Sequence, residues 1–345
     1  MTRKSVVFLS MLMAALALPS VVFAGGKTQS GGKYPHGEYD IAYGGSTCGS
    51  PIAIASLKGF FDEEGVKINL LSGSTFEVER TALAAGKMVV QNGDFQYFPA
   101  VQNGIDVKLI GALHEGCIKI LAPKSSGITT LEDLRGKKGI RFAVDEIGGT
   151  PMSVASVSVG SIGLDPQTDI TWLPFPADQE VQAVESGEAD ILAAWDPFAT
   201  LAENTGKYNV LVDIRTHPLF KDRACCFIFG SGKLVRDNPA AVAAVLRAIN
   251  KAADWIGHNP EEAAKLLISE KKIATDDVAL VSGLLNHYAY AAHAGPAANA
   301  RAKDDAVYFA RHLTQIGYLP ATLDPQKFVD DLYVDIFALE AAKKK

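Results

Sequence analysis

From residue 39 to residue 214, short apolar runs alternate with stretches whose apolar residues recur at helical spacing. Residues 39–43, 66–71, 88–92, 107–112 and 117–122 read as strands, with helices at 51–61, 76–85 and 97–103 between them. Pro51 suits a first helical position, and Ser74 or Thr75 supplies a cap for the helix at 76–85. A second series follows the loop Ser125-Ser126-Gly127. Thr130 and Asp133 have the spacing of a capping box. Strands are predicted at 141–144, 170–173, 189–194 and 210–214, and helices at 150–162 and 178–186. Such alternation predicts an α/β protein with mainly parallel sheets flanked by helices. After an extended apolar stretch at 224–229 the period becomes helical throughout. Helices are expected at 239–256, from Asn259-Pro260-Glu261-Glu262 onward, and at 276–291, 300–315 and 325–339.

The first residues follow a different pattern. Arg3 and Lys4 precede an apolar run at 6–18, Pro19 breaks it, and Val22-Phe23-Ala24 ends on a small residue. This predicts a cleavable signal peptide over 1–24. The run is too short for a spanning helix. A Gly/Ser/Lys-rich lead-in follows at 25–36. No Cys follows the cleavage point to carry a lipid, so a soluble, exported, periplasmic chain is expected. The formal net charge is −6, and loss of Arg3 and Lys4 with the leader takes it to −8. An acidic chain without a basic block is a poor candidate for nucleic acid or an anionic membrane surface, and no later apolar stretch is long enough to span a bilayer, so neither nucleic acid binding nor stable membrane insertion is expected. The tail Lys343-Lys344-Lys345 reads as a solvated end. The length suits two domains.

Three loops carry candidate chemistry. Gly44-Gly45-Ser46-Thr47-Cys48-Gly49-Ser50, Ser72-Gly73-Ser74-Thr75 and Ile147-Gly148-Gly149-Thr150 each precede a predicted helix. Glycine admits close approach to backbone N–H groups, Ser and Thr add hydroxyls, and a helix start carries partial positive charge. Together they would form a cradle for an acceptor-rich small molecule. None fits GxxxxGK[ST] or GxGxxG, and HExxH and GxSxG are absent, so no nucleotide, other cofactor or catalytic set is expected.

Several ordered segments resemble the solute-binding proteins of nitrate/sulfonate/taurine-type ABC transporters. They are Gly59-Phe60-Phe61-Asp62-Glu63-Glu64-Gly65-Val66, Ala82-Leu83-Ala84-Ala85-Gly86 with Gly93-Asp94, 131–138, and 184–190 followed by Trp195-Asp196-Pro197. Asn238-Pro239 and Asn259-Pro260 match its late helix starts. The resemblance implies a two-lobe periplasmic binding protein of type II, hinged by two crossing segments near 117–123 and 224–229, with a helical C-terminal tail. Lobe 1 would be 37–121 plus 227–345, and lobe 2 would be 122–226. It implies no enzyme, a monomer, and an ABC permease with its ATPase as partners. The implied ligand contacts are Ser46, Thr47, Cys48, Ser74, Thr75, Asn92, Asp94, His114, Gly149, Thr150, Trp195 and Asp196. The loops lack Arg and Lys, which favours a neutral, zwitterionic or monoanionic solute.

The four cysteines are not part of that family pattern. The resemblance places Cys48, Cys117, Cys225 and Cys226 near the cleft. Three readings stand open: a disulfide from Cys117 to Cys225 or Cys226, buried packing, or a thiolate site for a metal or cofactor with His114 and Glu115. Ala224-Cys225-Cys226-Phe227 also resembles the cysteine run of the pyrimidine precursor synthase of thiamine biosynthesis. An exported enzyme related to it is therefore the alternative function.

Overall fold

The computed structural model describes residues 32–72, 75–273 and 275–343. The signal peptide, the lead-in up to residue 31 and Ser74 lie outside them. Among the described residues no helix is long and apolar enough to cross a membrane.

The first half of the chain runs β1 (Glu38–Ala42), α1 (Ser50–Leu57), α2 (Phe60–Glu63), β2 (Lys67–Leu71), α3 (Phe76–Ala84), β3 (Val90–Asp94), α4 (Tyr97–Gln102) and β4 (Val107–His114). Next come β5 (Ile118–Pro123), β6 (Ile140–Val144), α5 (Thr150–Ser161), β7 (Ile170–Pro174), α6 (Glu180–Glu185), β8 (Ile191–Trp195), α7 (Phe198–Asn204) and β9 (Tyr208–Asp213). β10 (Cys226–Ser231) leads into α8 (Gly232–Asp237), α9 (Pro239–His258), α10 (Pro260–Ser269), α11 (Val278–His287), α12 (Pro296–Gln315), α13 (Pro325–Leu332) and α14 (Ile336–Lys343).

One sheet pairs β2 with β1 and, through a bridge between Asp40 and Met88, continues as β3-β10-β4. The other has the order β7-β6-β8-β5-β9. In each sheet a single strand runs against its neighbours: β10 in the first, β5 in the second. These are the strands that enter from the other sheet. A chain that leaves at the carboxyl end of a sheet and crosses directly must enter the next sheet from that same end, reversed. β8 is an unbroken apolar run, and all its residues but the half-buried Trp195 are buried. That is what helices on both faces of a sheet require.

Two boundaries differ from the sequence reading. Residues 118–121 pair in the second sheet with β8 and β9, not in the first, while Cys226 pairs in the first, opposite His114 and Asp94. The sequence marks apolar runs at 117–122 and 224–229, but the pattern carries no sign of which sheet each run pairs with. The helix expected at 325–339 is two helices. Tyr333 leaves the helical conformation and bridges Leu109, extending the first sheet by one residue. The helix expected at 276–291 ends at His287, where Ala289 turns left-handed. Asn259 does not cap α10; its amide donates back to Trp255 O.

The long helices cover the first sheet. α9 buries Val242, Val245, Leu246, Ile249, Ala252, Ala253 and Ile256 along one stripe and leaves Lys251 and Asp254 exposed, the pattern of a helix with one face in the core.

Candidate functional site

A cavity of about 580 Å³ opens where the carboxyl ends of β1, β3 and β8 meet, drawing its walls from both sheets. In open α/β sheets this is where ligands bind. From the first loop come Tyr43 to Gly49, from β3 come Gln91 to Asp94, and from the end of β8 come Trp195 to Phe198. Of the residues implied as contacts, Ser46, Thr47, Cys48, Asn92, Asp94, Trp195 and Asp196 line it.

The first loop is held by the helical tail. Thr47 Oγ1 shares a 2.8 Å hydrogen bond with Tyr288 Oη, and the Tyr290 hydroxyl donates to Thr47 O and Cys48 O. Ser46 Oγ accepts from Gly49 N at 3.3 Å. Both hydroxyl oxygens thus help shape the loop, Ser46 as an acceptor whose own O–H is not used by that bond.

Asn92 and Asp94 belong to the strand itself, one residue apart from Gly93. A Cβ at Gly93 would come within 2.4 Å of the Tyr97 ring, so glycine is required for that ring to stack on Phe229 at 4.2 Å. Asn92 Oδ1 is buried without a partner. Asp94 Oδ1 accepts from Gln96 N at 2.8 Å. Burial pushes the Asp94 carboxyl up to about 7, against the help of Thr150 and the Gln96 amide.

Across the cavity, Trp195 is fixed by its indole N–H, which donates to Asp145 Oδ2 at 2.6 Å. Asp196 Oδ1 accepts from Thr200 N and Oγ1, while its Oδ2 is buried and unpartnered. Burial raises Asp196 to about 6, with Lys119 opposing. Glu180, at the start of α6, has both carboxylate oxygens buried without partners, and burial with the charge of Asp145 lifts it to about 9.

Other implied contacts lie elsewhere. Thr75 caps α3, accepting from Val78 N at 3.4 Å, and its neighbours Phe76 and Glu79 line the cavity instead. The third loop opens on a separate hollow beside Arg80 and Tyr318. Gly149 packs against its own turn, and Thr150 faces Asp94 with a hydroxyl that is buried and lacks a well-formed hydrogen bond. His114 is fully buried behind the cavity, stacked on Tyr288 at 4.7 Å. Sequence reasoning missed Glu79 and Gln91, which bond to each other at 2.5 Å, and Phe198, Leu201, Thr275 and Leu280. Glu79 and Phe76 share one helix face at i, i+3, the only local signal available.

No Lys or Arg lines the cavity among the described residues; its charged side chains are Glu79, Asp94 and Asp196. The unpartnered polar atoms of its lining residues on the β3 and β8 edges are Asn92 Oδ1 and Asp196 Oδ2, both acceptors.

Beneath the floor the cysteines converge as free, buried thiols. Cys117 Sγ lies 3.6 Å from Cys225 Sγ and 3.7 Å from Cys226 Sγ, and the latter two are 3.9 Å apart. The donor atoms of Cys48, His114, Cys117 and Cys226 all fall within 4.8 Å of one another. Hydrogen bonds from Cys117 and Cys226 draw the Cys48 thiol well below its ordinary range. Cys225 also falls well below its range, against burial, through bonds from the same two thiols. His114 rises to about 10, burial opposing and the neighbouring thiolates prevailing.

Comparison with known proteins fits this architecture. A Bacillus subtilis (strain 168) protein provisionally named as an aliphatic sulfonates-binding protein is 27% identical over 224 residues, covering 63% of this chain and 65% of that one. The 4-amino-5-hydroxymethyl-2-methylpyrimidine phosphate synthase of Candida albicans (strain WO-1) is 27% identical over 230 residues, covering 62% and 65%. The alignments thus span just under two thirds of either relative. The crystal structure of the periplasmic nitrate-binding protein NrtA from Synechocystis PCC 6803 superposes with a TM-score of 0.72 at 18% identity, covering 89% of this chain and 88% of that one. The fold is that of the two-lobe periplasmic binding proteins. The family model described as NMT1/THI5 like matches residues 47–263, and the chain belongs to the NMT1/THI5-like family.

Proposed function

We propose that the protein is the exported, periplasmic solute-binding component of an ABC importer, and that its solute is a small organic molecule rich in N–H or O–H donors. The two units, 37–117 with 226–345 and 118–225 in outline, would close over the solute as hinged lobes and hand it unchanged to a permease and its ATPase. Hinge closure needs no chemistry. One observation carries the choice of solute: the charged side chains of the cavity are all carboxylates, and the buried atoms left unpartnered are acceptors. A nitrate or sulfonate would meet Asp94 and Asp196 with no Lys or Arg in the cavity lining to hold it. An amine, amidine or amino-substituted ring would satisfy Asn92 and both carboxylates, with the fixed face of Trp195 beside it.

A thermal-shift and calorimetric screen tests this. Solutes carrying amine or amidine groups should stabilise the protein saturably at one site per chain and be recovered intact. Saturable binding of alkanesulfonates or nitrate with no response to amines would overturn the solute class. Steady product formation would overturn the transport role.

A further inference from the structure

We propose that Cys48, His114, Cys117 and Cys226 bind one closed-shell d10 cation, of the Zn²⁺ or Cu⁺ class, at the floor of the solute cavity. The four donor atoms are buried and mutually within 4.8 Å. A Zn–S bond of about 2.3 Å sets the edge of a tetrahedron near 3.8 Å, and the 3.7 Å between Cys117 Sγ and Cys226 Sγ matches it. A disulfide needs sulfurs about 2.05 Å apart. Three sulfurs spaced at 3.6, 3.7 and 3.9 Å form a triangle rather than a bonded pair and a bystander.

The histidine has the disposition of a metal ligand. Its Nδ1 lies 3.2 Å from the carbonyl oxygen of Glu115, and its Nε2 is buried without a well-formed hydrogen bond. Ligating imidazoles characteristically donate their other nitrogen to a carbonyl or carboxylate, which fixes the tautomer. The ring is also clamped, stacked on Tyr288 and edge-on to Tyr290 at 5.4 Å. Those same tyrosines hold the Cys48 loop by its backbone and by Thr47.

The fold brings the donors together from three places. β4 ends at His114, β10 begins at Cys226, and the two residues are register partners. Cys117 lies on the opposite crossing, and Cys48 arrives with the first ligand loop. Gly116 makes the crossing compact: its φ is +78°, and a Cβ there would come within 2.8 Å of Arg215 Cβ. An ion here would tie both crossings to the first loop. Cys48 and Cys226 also line the solute cavity, so the ion would lie against its floor. Thiolate with imidazole is the donor set of zinc, and thiolates select Cu⁺. Cys225 lies beside the set and outside it.

The test uses the full secreted chain, reduced and stripped with a chelator, then titrated separately with Zn²⁺ and with Cu⁺ under argon. Native mass spectrometry should show about one ion per chain for at least one of them. X-ray absorption on the loaded wild type should give three sulfurs and one nitrogen, with distances near 2.3 and 2.0 Å for zinc. C48S, C117S and C226S should each lose stoichiometric binding, whereas C225S keeps it. An ion shell without sulfur, no stoichiometric uptake of either ion, or equal loss in C225S would overturn the proposal. The absorption measurement needs no variant, so a misfolded substitution cannot obscure the answer. Solute binding is not part of any of these readouts, so their failure is separate from failure of the transport reading.

Discussion

Replacing Asp94 with Asn should stabilise the empty protein and weaken its hold on solute, two effects of opposite sign from one atom. The carboxyl is buried at the cavity edge, accepts only the Gln96 amide among well-formed bonds, and is raised to about 7. Its folded value exceeds that of an unfolded chain, near 3.9. Between about pH 4 and pH 7 the native state therefore holds more protons than the unfolded state, and stability falls as pH rises. Three pH units at about 1.4 kcal/mol each give a cost of roughly 4 kcal/mol, reached near pH 7 and constant above it. Asn keeps the acceptor for Gln96 and offers an N–H toward Thr150, whose hydroxyl is buried without a well-formed partner. Urea titrations from pH 4 to 8 should show variant and wild type level at pH 4, separating up to pH 7 with the variant ahead, and parallel thereafter. With a donor-bearing solute, loss of the carboxylate removes a charged hydrogen bond of about 1.5–3 kcal/mol, so Kd should rise about tenfold to a hundredfold at pH 8. A stability gap that does not change with pH, or a variant that binds the solute more tightly, would refute the reasoning.

Other substitutions test neighbouring parts of the account. Glu180→Gln should raise stability by a few kcal/mol at pH 8 and by little near pH 4.5, because a carboxyl held at about 9 is easier to keep in the native state at low pH and is penalised as pH rises; denaturant midpoints across pH measure it. Gly116→Ala forces an L side chain to φ +78° against Arg215 and should cost about 1–3 kcal/mol in urea unfolding. Tyr288→Phe removes the 2.8 Å bond to Thr47. It should cost about 1 kcal/mol or more, since the Thr47 hydroxyl is left buried and unpaired, and solute affinity should fall with it.

The elements were legible where local chemistry decides them. The Thr75 cap and the Thr130–Asp133 capping box act within a turn of their own position, and the structure shows each in place; Pro51 lies in the first turn of its helix, one residue after the start. The strand expected at 189–194 is present as β8, an unbroken apolar run. Legibility failed where a distant partner decides. Tyr333 ends a helix because Leu109 offers a strand edge, and nothing near Tyr333 carries that information. The site divides in the same way. Cys48, Asp94 and Trp195 lie at strand ends or in a glycine loop, where a reader looks. Thr275 and Leu280 reach the cavity only because α11 packs beside the first loop. Thr47 looked like a ligand donor because its partner Tyr288 is 241 residues away. The clustering of the four thiols rests on a strand register that pairs Cys226 with His114, which spacing alone does not supply.

The most direct test is a high-resolution structure of the protein with the solute that co-purifies from its native host. The account expects that molecule in the cavity beside Trp195, chemically intact, with N–H or O–H groups directed at Asn92 Oδ1, the Asp94 carboxyl and Asp196 Oδ2. A sulfonate or nitrate there, held by the amides of residues 46–49, would contradict it, as would a solute bound away from those three side chains.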